Sequence, residues 1–337
     1  MNKKIDKKDH YLDSLNYICS NQLENGMILW DSSGKFDPWD HIEAAMALTV
    51  FDKFEDAKKA YKWLIKNQTP QGGWFSEFKF ELPIDRKQET NFAAYFATGI
   101  WHYYLITEDK VFLEDCLNTL SKSISFIADL QSKHGDILWA VDEYGAPMDD
   151  SLITGCSSIY KSLECAEAIF KTFDVNYEEI SDLKKGIKES IKNCPMRFDR
   201  TKDRSRYSMD WYYPILCGLY RDKEGQSRLE SKWKDFVVEG LGCKCVEEEP
   251  WVTIAESSEL VMALMNLGEA NLALELFGWL DQWKDKDNVY WTGYVYPDKA
   301  FWPEEKPTWT CGAVILAADS IYKFSKGSEL FLKDWSL

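Results

Sequence analysis

The chain repeats one short phrase along its length. It appears as Gln22, Gly26 and Trp30, then as Gln68, Gly72 and Trp74, then as Gln131, Gly135 and Trp139. A looser copy without the glycine runs from Gln282 to Trp291. Each copy follows an apolar run of helical period and precedes another. A unit recurring every ~45–60 residues cannot bury its apolar face alone, so neighbouring units must stack on one another.

Helical periodicity predicts twelve helices in six pairs. The outer ones are expected near 10–22, 55–67, 110–131, 177–193, 225–238 and 269–283. The inner ones are expected near 40–51, 89–105, 150–171, 209–220, 255–267 and 308–324. Tyr11, Leu15 and Ile18 make the first outer stripe, and Asp40 is expected to cap the first inner helix. The inner segments are small and apolar, as in Ala44 to Ala47 and Ala313 to Ala318, and suit burial on most faces. The outer segments carry lysine and glutamate. This alternation predicts an all-α chain folded as an (α/α)6 barrel, an α/α toroid of two concentric rings, in a single domain over 1–337. Pro195, Pro214 and Gly240–Gly242 shorten the fourth and fifth pairs, and Tyr290 to Tyr296 has the composition of a small β-hairpin.

The formal charge of -16 opposes binding to nucleic acid, whose phosphates require a basic surface. No apolar run approaches the ~20 residues of a membrane span. Met1 to His10 lacks the apolar stretch of a secretory signal, which points to the cytoplasm. Nine scattered cysteines then read as buried or free thiols. Cys243 and Cys245 form the one close pair, with no second pair or nearby histidine to complete a zinc site. No metal and no cofactor is expected, and the oligomeric state is open.

The spacing Gln68, Gly72, Trp74, with Trp63 upstream, resembles the QW motif of terpenoid cyclases. The resemblance implies the α/α toroid shared by those enzymes and the protein prenyltransferases. Six-hairpin glycosidases and some polysaccharide lyases use a similar double ring. The motif speaks for the toroid and little for the chemistry, because the Gln–Gly–Trp piece braces outer helices.

In a double ring the inner helices begin at one end of the central cavity, so the polar residues at those starts are the candidates for chemistry. Asp40 and Asp149 read as caps. Asp210 sits among Tyr207, Trp211, Tyr212 and Tyr213, and Glu256 lies one helical turn before Glu259. A carboxyl against aromatic walls is pushed toward its protonated form and can serve as a general acid, while a second, better-solvated one activates water. Asp210 and Glu256 are the expected catalytic pair, with Asp150 as the alternative acid or base. Trp39, His41, Glu89, Asn91, Trp139, Asp142, Tyr207, Trp211, Tyr212, Glu259, Trp291 and Trp309 are expected around the substrate, Trp291 and Trp309 as stacking platforms for a sugar ring.

Three functions compete. A carbohydrate-active enzyme, a glycoside hydrolase of the six-hairpin type acting on an oligosaccharide or other small glycoside, suits a cavity mouth rich in carboxylates and aromatics. An isoprenoid enzyme suits the QW-like motif, but only Asp149-Asp150 stands where a class II cyclase has Asp-x-Asp-Asp. Cys311 likewise lacks the aspartate and histidine of a prenyltransferase zinc site. A non-catalytic binder is the third. No phosphate-binding loop and no Gly-x-Ser-x-Gly segment occurs. The hydrolase is the reading adopted, with Asp210→Asn expected to abolish turnover.

Overall fold

The computed structural model describes residues 7–175 and 177–336. Residues 1–6 of the N-terminal stretch considered above lie outside them. Six helical hairpins follow in order. The first joins α1 (Leu12–Ser20) to α2 (Pro38–Val50), and the second joins α3 (Phe54–Asn67) to α4 (Thr90–Thr107). A short α5 (Lys110–Asp115) leads into α6 (Leu117–Ala128), which pairs with α7 (Ile153–Thr172). Then come α8 (Glu178–Asn193) with α9 (Ser208–Leu216), α10 (Asp222–Phe236) with α11 (Ile254–Asn266), and α12 (Ala270–Trp279) with α13 (Thr308–Tyr322).

The inner helices α2, α4, α7, α9, α11 and α13 pack side by side in that order, and α13 returns against α2 to close the ring. Each outer helix backs the inner helix that its own repeat or its neighbour supplies. The fold is the all-α toroid that the repeat implies. Its two rings differ as their compositions require: every residue of α2 but Asp40 is buried, whereas α3 buries only Ala57, Ala60, Tyr61, Trp63 and Leu64. Among the described residues no helix is long and apolar enough to cross a membrane.

The repeated phrase holds the outer ring together. The Gln22 side chain donates to the Gly26 carbonyl within its own turn and to the Asp56 carbonyl of the next outer helix. Gln68 does the same to Gly72 and Thr119, and Gln131 to Gly135 and Leu183. The glycines are required because each turn presses against backbone. Gly72 has φ +105°, and a Cβ there would lie 2.3 Å from the Lys122 carbonyl oxygen. Gly26 and Gly135 meet Lys59 and Gly186 in the same way. Trp74 is fully buried and donates to the Leu64 carbonyl.

The strand content exceeds the single hairpin expected from sequence. One antiparallel sheet joins β1 (Lys35–Phe36), β2 (Phe75–Lys79), β3 (Leu82–Glu89) and β4 (Ala140–Val141) in that order. A second joins β5 (Val237–Val238), β6 (Gly242–Lys244), β7 (Trp251–Thr253), β8 (Gly293–Val295) and β9 (Ala300–Phe301). All nine lie in links that run from an outer to an inner helix, β5 directly after α10. Both sheets therefore stand at the end of the barrel where the inner helices begin. The edge strands β1 and β4 have two residues each and carry no period of their own, and β2 and β3 were not expected from the sequence.

Candidate active site

The floor of the site is a pair of buried glutamates. Glu43, in the second turn of α2, accepts 3.1 Å and 2.8 Å hydrogen bonds from the Trp39 indole and the Tyr95 phenol. Trp39 and Tyr95 stack at 4.3 Å, and Tyr213 from α9 closes on Trp39 at 5.8 Å. Trp309 approaches the same carboxyl from α13. Burial drives Glu43 up to about 7 despite these donors. Two helices round the ring, in the second turn of α11, Glu259 accepts from the Tyr212 phenol. Burial, and then the charge of Glu43, lift Glu259 well above the carboxylate range. Two helices separated by α13 thus bring their carboxyls to one axis.

One turn nearer the mouth each of these helices carries a second carboxylate, Asp40 before Glu43 and Glu256 before Glu259. A three-residue step keeps both members on one helix face and separates them by ~4.5 Å along the axis. Asp40 was expected to be a cap, and it is not one. Asp37 caps α2, its Oδ1 accepting the Asp40 N–H at 2.9 Å, with Pro38 at the first helical position. The Asp40 carboxyl does not cap the helix and lies beside that of Asp37. Burial, then Asp37 and then Glu43 push it well above the usual carboxylate range, with Lys35 opposing. Asp37 is raised as well, chiefly by burial, so the two carboxyls titrate as a linked pair. Nothing in the repeat pointed to Asp37. The signal available was its place before Pro38, a start signature that shifts the cap three residues back. Asp149 caps nothing either: it is exposed and pairs with Arg200 at 2.9 Å.

A pocket of about 190 Å³ opens beside this axis, lined by Glu89, Asn91, Thr154, Tyr207, Asp210 and Cys245 among others. The Cys245 thiol touches Glu256, which joins the pocket to the α11 carboxylates. Glu89 closes β3, where burial raises its carboxyl against the pull of Lys87 3.5 Å away. Trp139, half-buried just before β4, stands with the Lys87 ammonium 5.8 Å from its ring. Glu89, Asn91 and Tyr207 are thus brought together, and Trp39, Tyr212, Glu259 and Trp309 form the floor beneath.

Several expected site residues have other work. Asp150 accepts from the backbone N–H groups of Ser151, Arg200 and Thr201 and from the Thr201 hydroxyl. Burial would raise it, but those donors outweigh burial and hold it below the usual range. It ties down the 199–201 loop. Asp210 accepts from the Thr154 N–H and hydroxyl and shares its other side with Asp199. Burial, and then Asp210, lift Asp199 to about 7, so these two carboxyls are bound to each other. His41 is fully buried with both ring nitrogens engaged, one accepting from the Ile28 N–H and the other donating to the Ala60 carbonyl, and faces away from the cavity. Burial drives its pKa down to about 4. Trp211 points outward, stacked on Phe236 with its indole donating to the Arg228 carbonyl. Asp142 closes its own turn through the Tyr144 and Ala146 N–H groups. Trp291 stacks on Phe301 within the second sheet, at 5.0 Å.

The chain superposes on a wild-type glycosidase with a TM-score of 0.72 and 13% identity, over 94% of this chain and 96% of that one. A variant glycosidase in complex with glucose gives the same score, identity and coverage. A D-mannose isomerase gives 0.73 at 10% identity, over 96% and 100%. At such identities these matches speak for the fold. No family model matches the chain. A curated protein of Mycolicibacterium hassiacum, MMP endo-(1,4)-3-O-methyl-alpha-D-mannosidase, is 40% identical over 314 residues, spanning 93% of this chain and 86% of that protein. The chain is a glycoside hydrolase-like enzyme, and it belongs to the family of that mannosidase. The terpenoid cyclase resemblance gains nothing from these matches.

Proposed function

We propose that the protein is an endo-acting glycoside hydrolase that cleaves (1,4) bonds between 3-O-methyl-α-D-mannose units, as the name of its mannosidase relative describes for that protein. Asp40 is the general acid and Glu256 the general base. The observation that carries this assignment is that the Asp40 side chain is no cap and lies half-buried beside Asp37 and Glu43, whose charges oppose its ionised form. A carboxyl whose ionised form is disfavoured in this way is suited to give a proton to a glycosidic oxygen.

The sequence of events follows from those positions. Asp40 passes its proton to the bridging oxygen as the bond to the anomeric carbon breaks, and the leaving sugar departs as an alcohol. Glu256 removes a proton from a water whose oxygen bonds the anomeric carbon from the opposite side. α13 stands between α2 and α11 and spaces the two carboxyls around the cavity, which leaves room for that water and favours inversion. Trp39, Tyr95 and Trp309 wall the reacting ring, while Glu43 and Glu259 fix the aromatic floor. Asp150 and Asp210 serve the loops around the mouth. All nine cysteines are free thiols, in keeping with the cytoplasmic setting we propose.

The test is proton NMR of a (1,4)-linked 3-O-methyl-α-mannoside oligosaccharide during digestion. New reducing ends in the β configuration, converting to α only with time, are expected. α ends appearing first would overturn inversion. The absence of any new reducing end would overturn hydrolysis of this substrate.

A further inference from the structure

A second cavity, of about 550 Å³, opens on the outer side of the five-stranded sheet. Its walls include Trp251 and Trp302, which meet edge to face at 4.9 Å, and its rim carries Arg206, Glu249 and Asp298. Trp302 is 57% exposed, a large aromatic surface left to solvent. It is nevertheless held in place, because the Trp251 indole donates a 2.7 Å hydrogen bond to the Trp302 carbonyl. A fixed aromatic face ringed by charged and polar groups is the chemistry that binds a sugar ring: apolar C–H surface stacks on the indole while hydroxyls reach the rim.

The cavity adjoins the pocket beside the proposed catalytic axis. Arg206 and Val246 line the outer cavity, whereas their chain neighbours Tyr207 and Cys245 line the inner pocket. Tyr207 and Val246 are paired by a β-bridge, so a single backbone ladder is the partition between the two. Trp251 also begins β7, which runs directly into α11 and Glu256. Three strand residues and the first helical turn span at most ~15 Å. That lies within the length of a short saccharide chain.

We infer that Trp251 and Trp302, with Arg206 and Asp298 at the rim, form a distal subsite that binds the same saccharide chain whose bond is cut at Asp40 and Glu256. The inference rests on the hydrolase reading above and adds where the rest of the polymer lies. It gives the enzyme a reason to prefer internal bonds: only a chain extending past the cleavage point fills the subsite.

The experiment compares wild type, Trp302→Ala and Trp302→Phe on (1,4)-linked 3-O-methyl-α-mannosides of short and long chain length, with melting temperature as a fold control. Trp302→Ala should raise KM for long chains about tenfold, the range of one lost stacking contact. It should leave the short substrate and kcat unchanged, and Trp302→Phe should restore most of the affinity. Equal losses on short and long chains, or no loss on long ones, would overturn the subsite while leaving the hydrolase standing. Failure of the wild type on every chain length would instead overturn the hydrolase reading, and the subsite with it.

Discussion

The phenol of Tyr95 donates a 2.8 Å hydrogen bond to Glu43 while its ring lies against Trp39, whose indole donates to the same oxygen. Two aromatic residues from two helices thus converge on one buried carboxyl oxygen. The other oxygen of Glu43 has no hydrogen-bond partner. The carboxyl is fixed in position but poorly solvated, which is why its pKa rises to about 7.

That elevation sets a pH dependence of stability. Glu43 titrates near 4.5 when unfolded and about 7 when folded. Its contribution is therefore fully present below pH 4.5 and is lost as pH rises through 7. Glu43→Gln retains an oxygen for Trp39 and Tyr95 but needs no proton. Its melting temperature should match wild type near pH 4.5 and exceed it at pH 8, by the equivalent of about 3 kcal/mol at most. Thermal unfolding at the two pH values measures the difference, and equal offsets at both would refute it.

Asp40 and Asp37 should be separable in a pH–rate profile. Asp37→Asn keeps a capping oxygen but removes the charge that helps lift Asp40. The pKa of Asp40 then falls, and activity should be lost at lower pH on the alkaline side than in wild type. An alkaline limb that stays in place would mean that Asp37 does not tune the acid.

Asp210→Asn should keep most of the wild-type activity, contrary to what its aromatic neighbourhood suggested. Its partners are Thr154 and Asp199, and an amide relieves a carboxyl pair that burial penalises. Steady-state kinetics on the oligosaccharide decide the matter. A loss of 10² or more in kcat would return Asp210 to the mechanism.

The turn glycines carry a packing requirement that a matched pair can measure. Gly72 and Gly145 both have positive φ, +105° and +85°, but a Cβ at Gly145 meets nothing within 4 Å. Gly145→Ala should cost about 1 kcal/mol of backbone strain. Gly72→Ala must also displace the Lys122 carbonyl and should cost ~2 kcal/mol more. Denaturant unfolding of the two variants tests the brace between turn and outer helix.

The fold was legible because it is written repeatedly. Gln22, Gln68 and Gln131 share one set of contacts, so one phrase read three times defined the outer ring. Glu256, Trp39, Glu259 and Trp309 were legible as polar or aromatic residues at inner-helix starts. Asp40 was seen but assigned to the helix end, since a local rule for caps cannot tell which of two aspartates three residues apart does the capping. His41 was misjudged because sequence gives the helix and not its rotation, whereas Asp210, legible at a helix start, does line the pocket. Asp210 turns to Thr154 and Asp199, and His41 to the Ala60 carbonyl of an outer helix. The two sheets come from links whose strands are mostly two or three residues long, and their pairing is set by the barrel around them.

The most direct measurement is product analysis of a (1,4)-linked 3-O-methyl-α-mannoside oligosaccharide treated with wild type, Asp40→Asn and Glu256→Gln, alongside their melting temperatures. Wild type should release internal fragments, and both variants should lose 10²–10⁴-fold in rate while unfolding at nearly the wild-type temperature. Undiminished cleavage by a folded Asp40→Asn would contradict the assignment of the acid and reopen the site.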